Sequence, residues 1–212
     1  MSLVAIVILW MITISCNSEY SSKPKGYFKI PFPEHAYKQF DRADFPYSFE
    51  YPVYADIIQD TTFFDSSPEN PYWINIDFKQ YKATLFISYK EIGGKSLIKV
   101  RNSDGSYRDS FSINRFDRLV DDAFNLTAKN QIVAPSIRDS AFVNPNGISG
   151  VFFKVAGNAA TARQFFMSDS TKHFLRGALY IEATPKADSL QPVVDFLTRD
   201  MQHVIQTLRW KP

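Results

Sequence analysis

Cysteine is almost absent from this chain. Cys16 is the only one, which excludes an internal disulfide, a CxxC redox centre and a cysteine-based zinc site. Histidine is scarce as well. His35, His173 and His203 stand far apart in sequence, and no HExxH pair, EF-hand loop or G-x-S-x-G elbow accompanies them. No metal and no other cofactor is therefore expected. Neither sign of charge dominates: 24 Lys and Arg offset 22 Asp and Glu for a formal +2. No basic block stands out, so nucleic acid is not an expected partner. Glycine is limited to 8 residues and no internal repeat is present, which excludes solenoid designs.

What the chain does have begins with an apolar run, residues 3–16, ending in Thr13-Ile14-Ser15-Cys16. It is shorter than the roughly 20 apolar residues of an ordinary membrane span. Its length suits a secretory h-region, with small Ser15 at the break. A signal ending in Ser-Cys reads as a lipoprotein signal. Cleavage before Cys16 would free an amine for an acyl chain such as palmitate, and the thiol would carry a diacylglyceryl group. Each buried CH₂ contributes about 0.8 kcal/mol, so several acyl chains anchor a protein stably where one does not. Two features depart from the usual signal: no Lys or Arg precedes Leu3, and Thr13 stands where an aliphatic residue is common. An uncleaved anchor helix and a buried first helix remain alternatives. The expected organisation is a signal peptide at 1–15, a lipidated cysteine and polar tether at 16–26, and a single globular domain at 27–212.

Aromatic residues make up 16% of the chain, a composition that favours strands and large buried contacts. Many fall between 27 and 54, where Pro31, Pro33, Pro46 and Pro52 forbid a long helix. This arm either straps across the core or presents its rings to a partner or glycan. Residues 56–71 suggest a loop. Ile74, Ile76 and Phe78, then Ala83, Leu85, Ile87 and Tyr89, alternate with polar residues and predict a hairpin. Ile113, Phe116, Leu119, Val120, Ala123 and Phe124 mark one face of a helix, and Ile132 with Val133 suggest a short strand. Three further strands, at 150–156, 161–167 and 174–183, predict an antiparallel meander. The chain closes on an apolar stripe, Leu190 through Leu208, predicting a long helix with Ser189 as N-cap. The fold class is α+β: an antiparallel sheet, hairpin plus C-terminal meander, covered by helices including a long C-terminal one.

One polar cluster stands out: Arg163, Ser168, Asp169, Ser170, Thr171, Lys172, His173 and Arg176. A catalytic triad is rejected, because residues so close in sequence seldom surround a substrate. A capped turn with flanking charges is one reading. A recognition surface of Arg163, Asp169, Thr171, His173 and Arg176, binding a partner carboxylate or glycan, is the other. His203 lies off the apolar stripe and reads as a solvated surface histidine.

Longer strings point further. Pro24-Lys-Gly-Tyr-Phe28, Pro46-Tyr-Ser-Phe-Glu-Tyr-Pro-Val-Tyr54, Tyr72-Trp-Ile-Asn-Ile-Asp-Phe78 and Ser168-Asp-Ser-Thr-Lys-His-Phe-Leu-Arg-Gly-Ala-Leu-Tyr180 occur in one order along the chain. In these segments the sequence resembles the gliding motility lipoprotein GldD family of the Bacteroidetes group. The resemblance implies a lipid-anchored cell-envelope accessory protein of the gliding motility and type IX secretion machinery, acting by protein binding and not as an enzyme. Its partners would be the membrane, through the N-terminal lipid, and other envelope proteins of that machinery. Surface-exposed lipoproteins of this group tend to carry an acidic string after the cysteine. Asn17-Ser18-Glu19 lacks one, which implies a periplasm-facing domain on the outer or inner membrane. The order of elements is also similar to the PsbP-type α/β/α sandwich, an analogy of fold alone. Asp60-Thr61-Thr62, Asp139-Ser140-Ala141 and Asp169-Ser170-Thr171 match the group's O-glycosylation pattern at Thr61, Ser140 and Ser170, at a frequency that composition nearly explains. Two rival functions remain: a structural envelope lipoprotein binding peptidoglycan or another lipoprotein, and a small-ligand carrier or enzyme with a pocket between sheet and helix.

Overall fold

Alternation of apolar and polar side chains builds a seven-stranded antiparallel sheet. The computed structural model describes residues 30–59, 71–129, 134, 136–157, 159–182 and 187–212. Cys16, the tether, Thr61 and the pair Ile132–Val133 lie outside them. In chain order the strands are β1 (Tyr37–Phe40), β2 (Tyr47–Pro52), β3 (Asp56–Gln59), β4 (Ile74–Phe78), β5 (Ala83–Glu91), β6 (Lys95–Arg101) and β7 (Tyr107–Ile113). After helix α1 (Phe116–Ala128) come β8 (Ile137–Val143), β9 (Ser149–Val155), β10 (Arg163–Ser168) and β11 (His173–Ile181). Helix α2 (Ala187–Thr207) and the short β12 (Arg209–Trp210) finish the chain. The main sheet runs β3-β4-β5-β11-β10-β9-β8; β1-β2-β12 form a second sheet and β6-β7 a separate hairpin.

Both expected sheet units are present. A single 3₁₀ turn, Lys79–Tyr81, joins β4 to β5, with Lys82 in the left-handed region at φ 48°. The meander β9-β10-β11 pairs in sequence, and β11 then pairs with β5 through nine residue pairs, from His173–Glu91 to Ile181–Ala83. This pairing puts Leu85 beside Leu179 and Ile87 beside Gly177, and Phe165 beside Gly177 on its other flank. Those residues, with Ile74, Ile76, Met167 and Leu175, form one buried face. Helix α2 accompanies it, burying Leu197, Met201, Val204 and Leu208. Each such side chain fully buried stabilises the fold by about 1.5–3 kcal/mol. The opposite face carries Phe153, Phe166 and Phe174, packed under Leu119 and Ala123 of α1. Because both faces are covered, β11 reads as a near-continuous apolar run.

The aromatic arm buries Phe40, Phe45, Tyr47 and Phe49. Phe40 stacks on Phe49, Phe45 meets Phe40 and Tyr47 edge to face, and Tyr47 Oη donates to the carbonyl of Tyr72 at 2.5 Å.

Several local expectations are corrected. Asp56–Gln59 is an edge strand rather than loop, paired with β4. Ile113 ends β7, and the helix begins only at Phe116. Helix α2 starts at Ala187, so Ser189 lies inside its first turn and Pro192 one turn further in. His203 is not a solvated surface residue: its Nε2 lies 2.7 Å from Glu50 Oε2, and its ring stacks on Tyr37 at 3.5 Å. Segments 95–113 and 137–143 are strands that local periodicity did not announce.

Gly177 sits where only hydrogen fits, since a Cβ there would overlap the ring of Phe165, which is itself inaccessible. Gly177→Ala is therefore expected to destabilise the protein by about 1–3 kcal/mol, the usual cost of overpacking. A fall in the urea midpoint at unchanged m-value would establish this; an unchanged midpoint would contradict it.

Candidate functional site

The residues singled out in the sequence do not converge. Arg163 and Ser168 stand at opposite ends of β10, so Arg163 is remote from the turn that follows Ser168. It is only 12% exposed, donates Nη1 to the carbonyl of Ala162, and places Nη2 3.7 Å from Asp195. The turn itself is held by Asp169, whose Oδ1 accepts from the backbone N–H groups of Thr171, Lys172 and His173 at 2.9–3.0 Å. Those bonds hold its carboxyl below the usual carboxylate range, against the opposing pull of burial. Ser170 occupies the left-handed region at φ 64°. Thr171 is exposed, and Ser140 is exposed on the edge strand β8. His173 is buried, with Nδ1 2.7 Å from Tyr89 Oη and its ring stacked on Trp210. Burial pushes the His173 imidazole down in pKa, with Asp169 opposing. Arg176 points away from the turn, donating to Gln164 Oε1. Among the described residues no set of three His, Cys, Asp or Glu side chains could hold a metal ion.

A polar cluster that spacing did not reveal lies between the arm and α2. The Asp200 side chain is fully buried. His35 Nδ1 lies 2.7 Å from its Oδ1, Tyr37 Oη donates to the same oxygen at 3.2 Å, and Tyr54 Oη donates to Oδ2 at 2.6 Å. Burial, reinforced by Asp200, pushes the Tyr37 hydroxyl up to about 12, and the same causes push Tyr54 up. Phe32, His35 and Tyr54 stack around Phe196, one turn before Asp200. This is a fastening rather than a reaction centre: two protonated phenols and an imidazole satisfy one carboxylate. A local signal did exist. Asp200 falls between Leu197 and Val204, on the buried stripe of the helix, where an unpaired acid does not belong.

Among the described residues, the β6–β7 hairpin gathers the largest group of exposed apolar side chains. Its register pairs Leu97 with Phe111, Lys95 with Ile113, Lys99 with Asp109 and Arg101 with Tyr107, so these eight side chains share one face. On it Leu97 is 49%, Tyr107 65%, Phe111 71% and Ile113 59% exposed. Neither strand pairs with the main sheet. The base is nevertheless fixed by buried Asn114. Its Oδ1 accepts from Ser96 Oγ at 2.6 Å, its Nδ2 donates to the carbonyl of Glu91, and its backbone exchanges bonds with Gly93 and Gly94. The tip is turned by Gly105 at φ 86°, with Asp104 accepting from the backbone and hydroxyl of Ser106. Exposed apolar patches rimmed by polar residues mark interaction surfaces on folded proteins.

The described residues form an α+β scaffold with a projecting apolar hairpin and an N-terminal arm fastened to α2. Residues 17–210 match the family described as gliding motility lipoprotein GldD, and the chain belongs to that family. It is thus a gliding motility lipoprotein, a class anchored by lipid in the cell envelope. No curated protein matches it. Among solved structures it is similar to a cyanobacterial PsbP (CyanoP) from Synechocystis sp. PCC 6803, at 12% identity and TM-score 0.44, over 89% of this chain and 100% of that one. Among the described residues no helix is long and apolar enough to cross a membrane.

Two outcomes test the Asp200 fastening. Asp200→Ala, which strands the Tyr37 and Tyr54 hydroxyls, is expected to cost on the order of 3 kcal/mol in chemical denaturation. A loss below about 1 kcal/mol would show the cluster to be dispensable. The second concerns pH. Tyr37 ionises near 10.0 when unfolded and near about 12 when folded, so the folded state holds its proton longer. Its contribution is complete below pH 10.0 and is lost as pH rises toward about 12. Tyr37→Phe should flatten that alkaline decline; an identical decline in both proteins would contradict the assignment.

Proposed function

We propose that this lipoprotein is an accessory component of the gliding and type IX secretion apparatus of a Bacteroidetes-group bacterium, acting by protein binding without turnover. In this proposal residues 1–15 are removed and Cys16 carries the lipid. Residues 16–26 tether a single domain, 27–212, that faces the periplasm from the outer or inner membrane. The family match, which begins at residue 17, directly after Cys16, supports the lipid anchor. The observation that carries the binding role is the exposed face of β6–β7: aromatic and aliphatic at Leu97, Tyr107, Phe111 and Ile113, with Lys95, Lys99 and Arg101 outnumbering Asp109 among its charges. That composition suits a protein partner with an apolar groove and an acidic rim. The β10–β11 turn, with Asp169 and Thr171, is a secondary contact, and Ser140 and Ser170 are accessible candidates for O-glycosylation. Arg163, His173 and Arg176 are too enclosed to share that contact.

The test replaces Leu97 and Phe111 by Ser in the native host and measures colony spreading and the release of secreted cargo. Both side chains are exposed, so the change in stability should stay within about 0.5 kcal/mol. Loss of spreading at normal protein level is the expected result. Val143→Ser, equally exposed at 66% but on β8 of the main sheet, should spread normally. Normal spreading of the Leu97/Phe111 double variant would remove the hairpin from the account.

A further inference from the structure

A cleft between α1 and the main sheet has a chemistry that the hairpin does not explain. Its volume is about 370 Å³, within the roughly 300–1,000 Å³ of small-molecule sites. Its walls are apolar, formed by Trp73 and Phe174 from the sheet side and Leu119 and Leu126 from the helix. At the sheet side stands Arg176, mostly buried in the middle of β11. A guanidinium offers five donors. The side-chain acceptor that Arg176 finds is Gln164 Oε1, which Thr127 Oγ1 also approaches at 3.2 Å. Arg163, the other enclosed arginine, has Asp195 as a counter-ion. Arg176 has no such partner among the described residues, and burial alone lowers its pKa, with no carboxylate opposing. Among the described lining residues the other charged groups are Lys90, Lys129 and Asp122.

We propose that this cleft binds a medium-chain fatty carboxylate, its head on Arg176 and its alkyl tail between Trp73, Leu119 and Phe174. A carboxylate accepts two parallel bonds from a guanidinium fork and supplies the counter-charge that burial of Arg176 demands. The tail displaces water from apolar walls, a gain that grows with each buried CH₂.

The probe is octanoate, titrated calorimetrically into the full chain held in phosphatidylcholine nanodiscs, with empty nanodiscs subtracted. Octanol serves as the tail without the charge. Octanoate should bind saturably, and octanol at least about tenfold more weakly. Arg176→Gln should weaken octanoate at least about tenfold while leaving octanol unchanged. Leu126→Trp, at a position 42% exposed, should narrow the slot and weaken both probes. Should Arg176→Gln fail to fold, the octanoate–octanol difference and the Leu126→Trp effect decide the matter on folded protein. No saturable binding of octanoate, equal affinity for octanol, or indifference to Leu126→Trp overturns the proposal.

Discussion

A carboxylate with no access to water holds the two ends of this domain together. Burying an ionised side chain costs several kcal/mol unless bonded groups replace its hydration. Asp200 meets that requirement with three groups, all drawn from the aromatic arm: His35, Tyr37 and Tyr54. The arm can therefore lie in only one position along α2. That position sets β2, which pairs with β12 and donates its Glu50 N–H to Thr207 Oγ1. The Tyr37–His203–Glu50 stack repeats the connection one turn along the helix. A chain without disulfides thus joins its N-terminal arm to its last helix through polar contacts over an aromatic floor.

The consequence for function is a rigid body that leaves one element exposed. The main sheet is covered on both faces, by α2 with the arm on one and by α1 on the other. Between β5 and α1 the chain detours into the β6–β7 hairpin, whose apolar side chains Leu97, Tyr107, Phe111 and Ile113 are about half or more exposed among the described residues. Asn114 fixes the root of that detour with four bonds. A partner binding the hairpin would meet a surface already ordered at its base, so less conformational entropy is lost on docking.

Much of this was legible locally. Period-two patterns fixed β4, β5 and the meander because one face of each is buried, and burial enforces alternation. The stripe from Val193 to Leu208 identified α2 for the same reason. The hairpin escaped notice because neither of its faces is fully covered: Lys95-Ser-Leu-Ile-Lys-Val-Arg101 has no obligation to alternate. The partners of Asp200 have no local signature because Asp200 lies 146–165 residues from His35, Tyr37 and Tyr54, beyond any spacing rule. The grouping of Arg163 with Asp169 failed for a geometric reason: six residues of extended strand at about 3.3 Å each separate the two ends. His203 looked solvated because it sits off the stripe, and only the arm, arriving from Tyr37 and Glu50, encloses it.

The central proposal is that the exposed hairpin face is the surface by which this lipoprotein binds a protein partner. The most direct measurement is photo-crosslinking in living cells from single positions, Phe111 on the hairpin against Thr171 on the β10–β11 turn and Val143 on β8, with products identified by mass spectrometry. The account predicts defined adducts to gliding or secretion components from Phe111, few from Thr171 and none from Val143. Adducts from Thr171 or Val143 with none from Phe111 would contradict it.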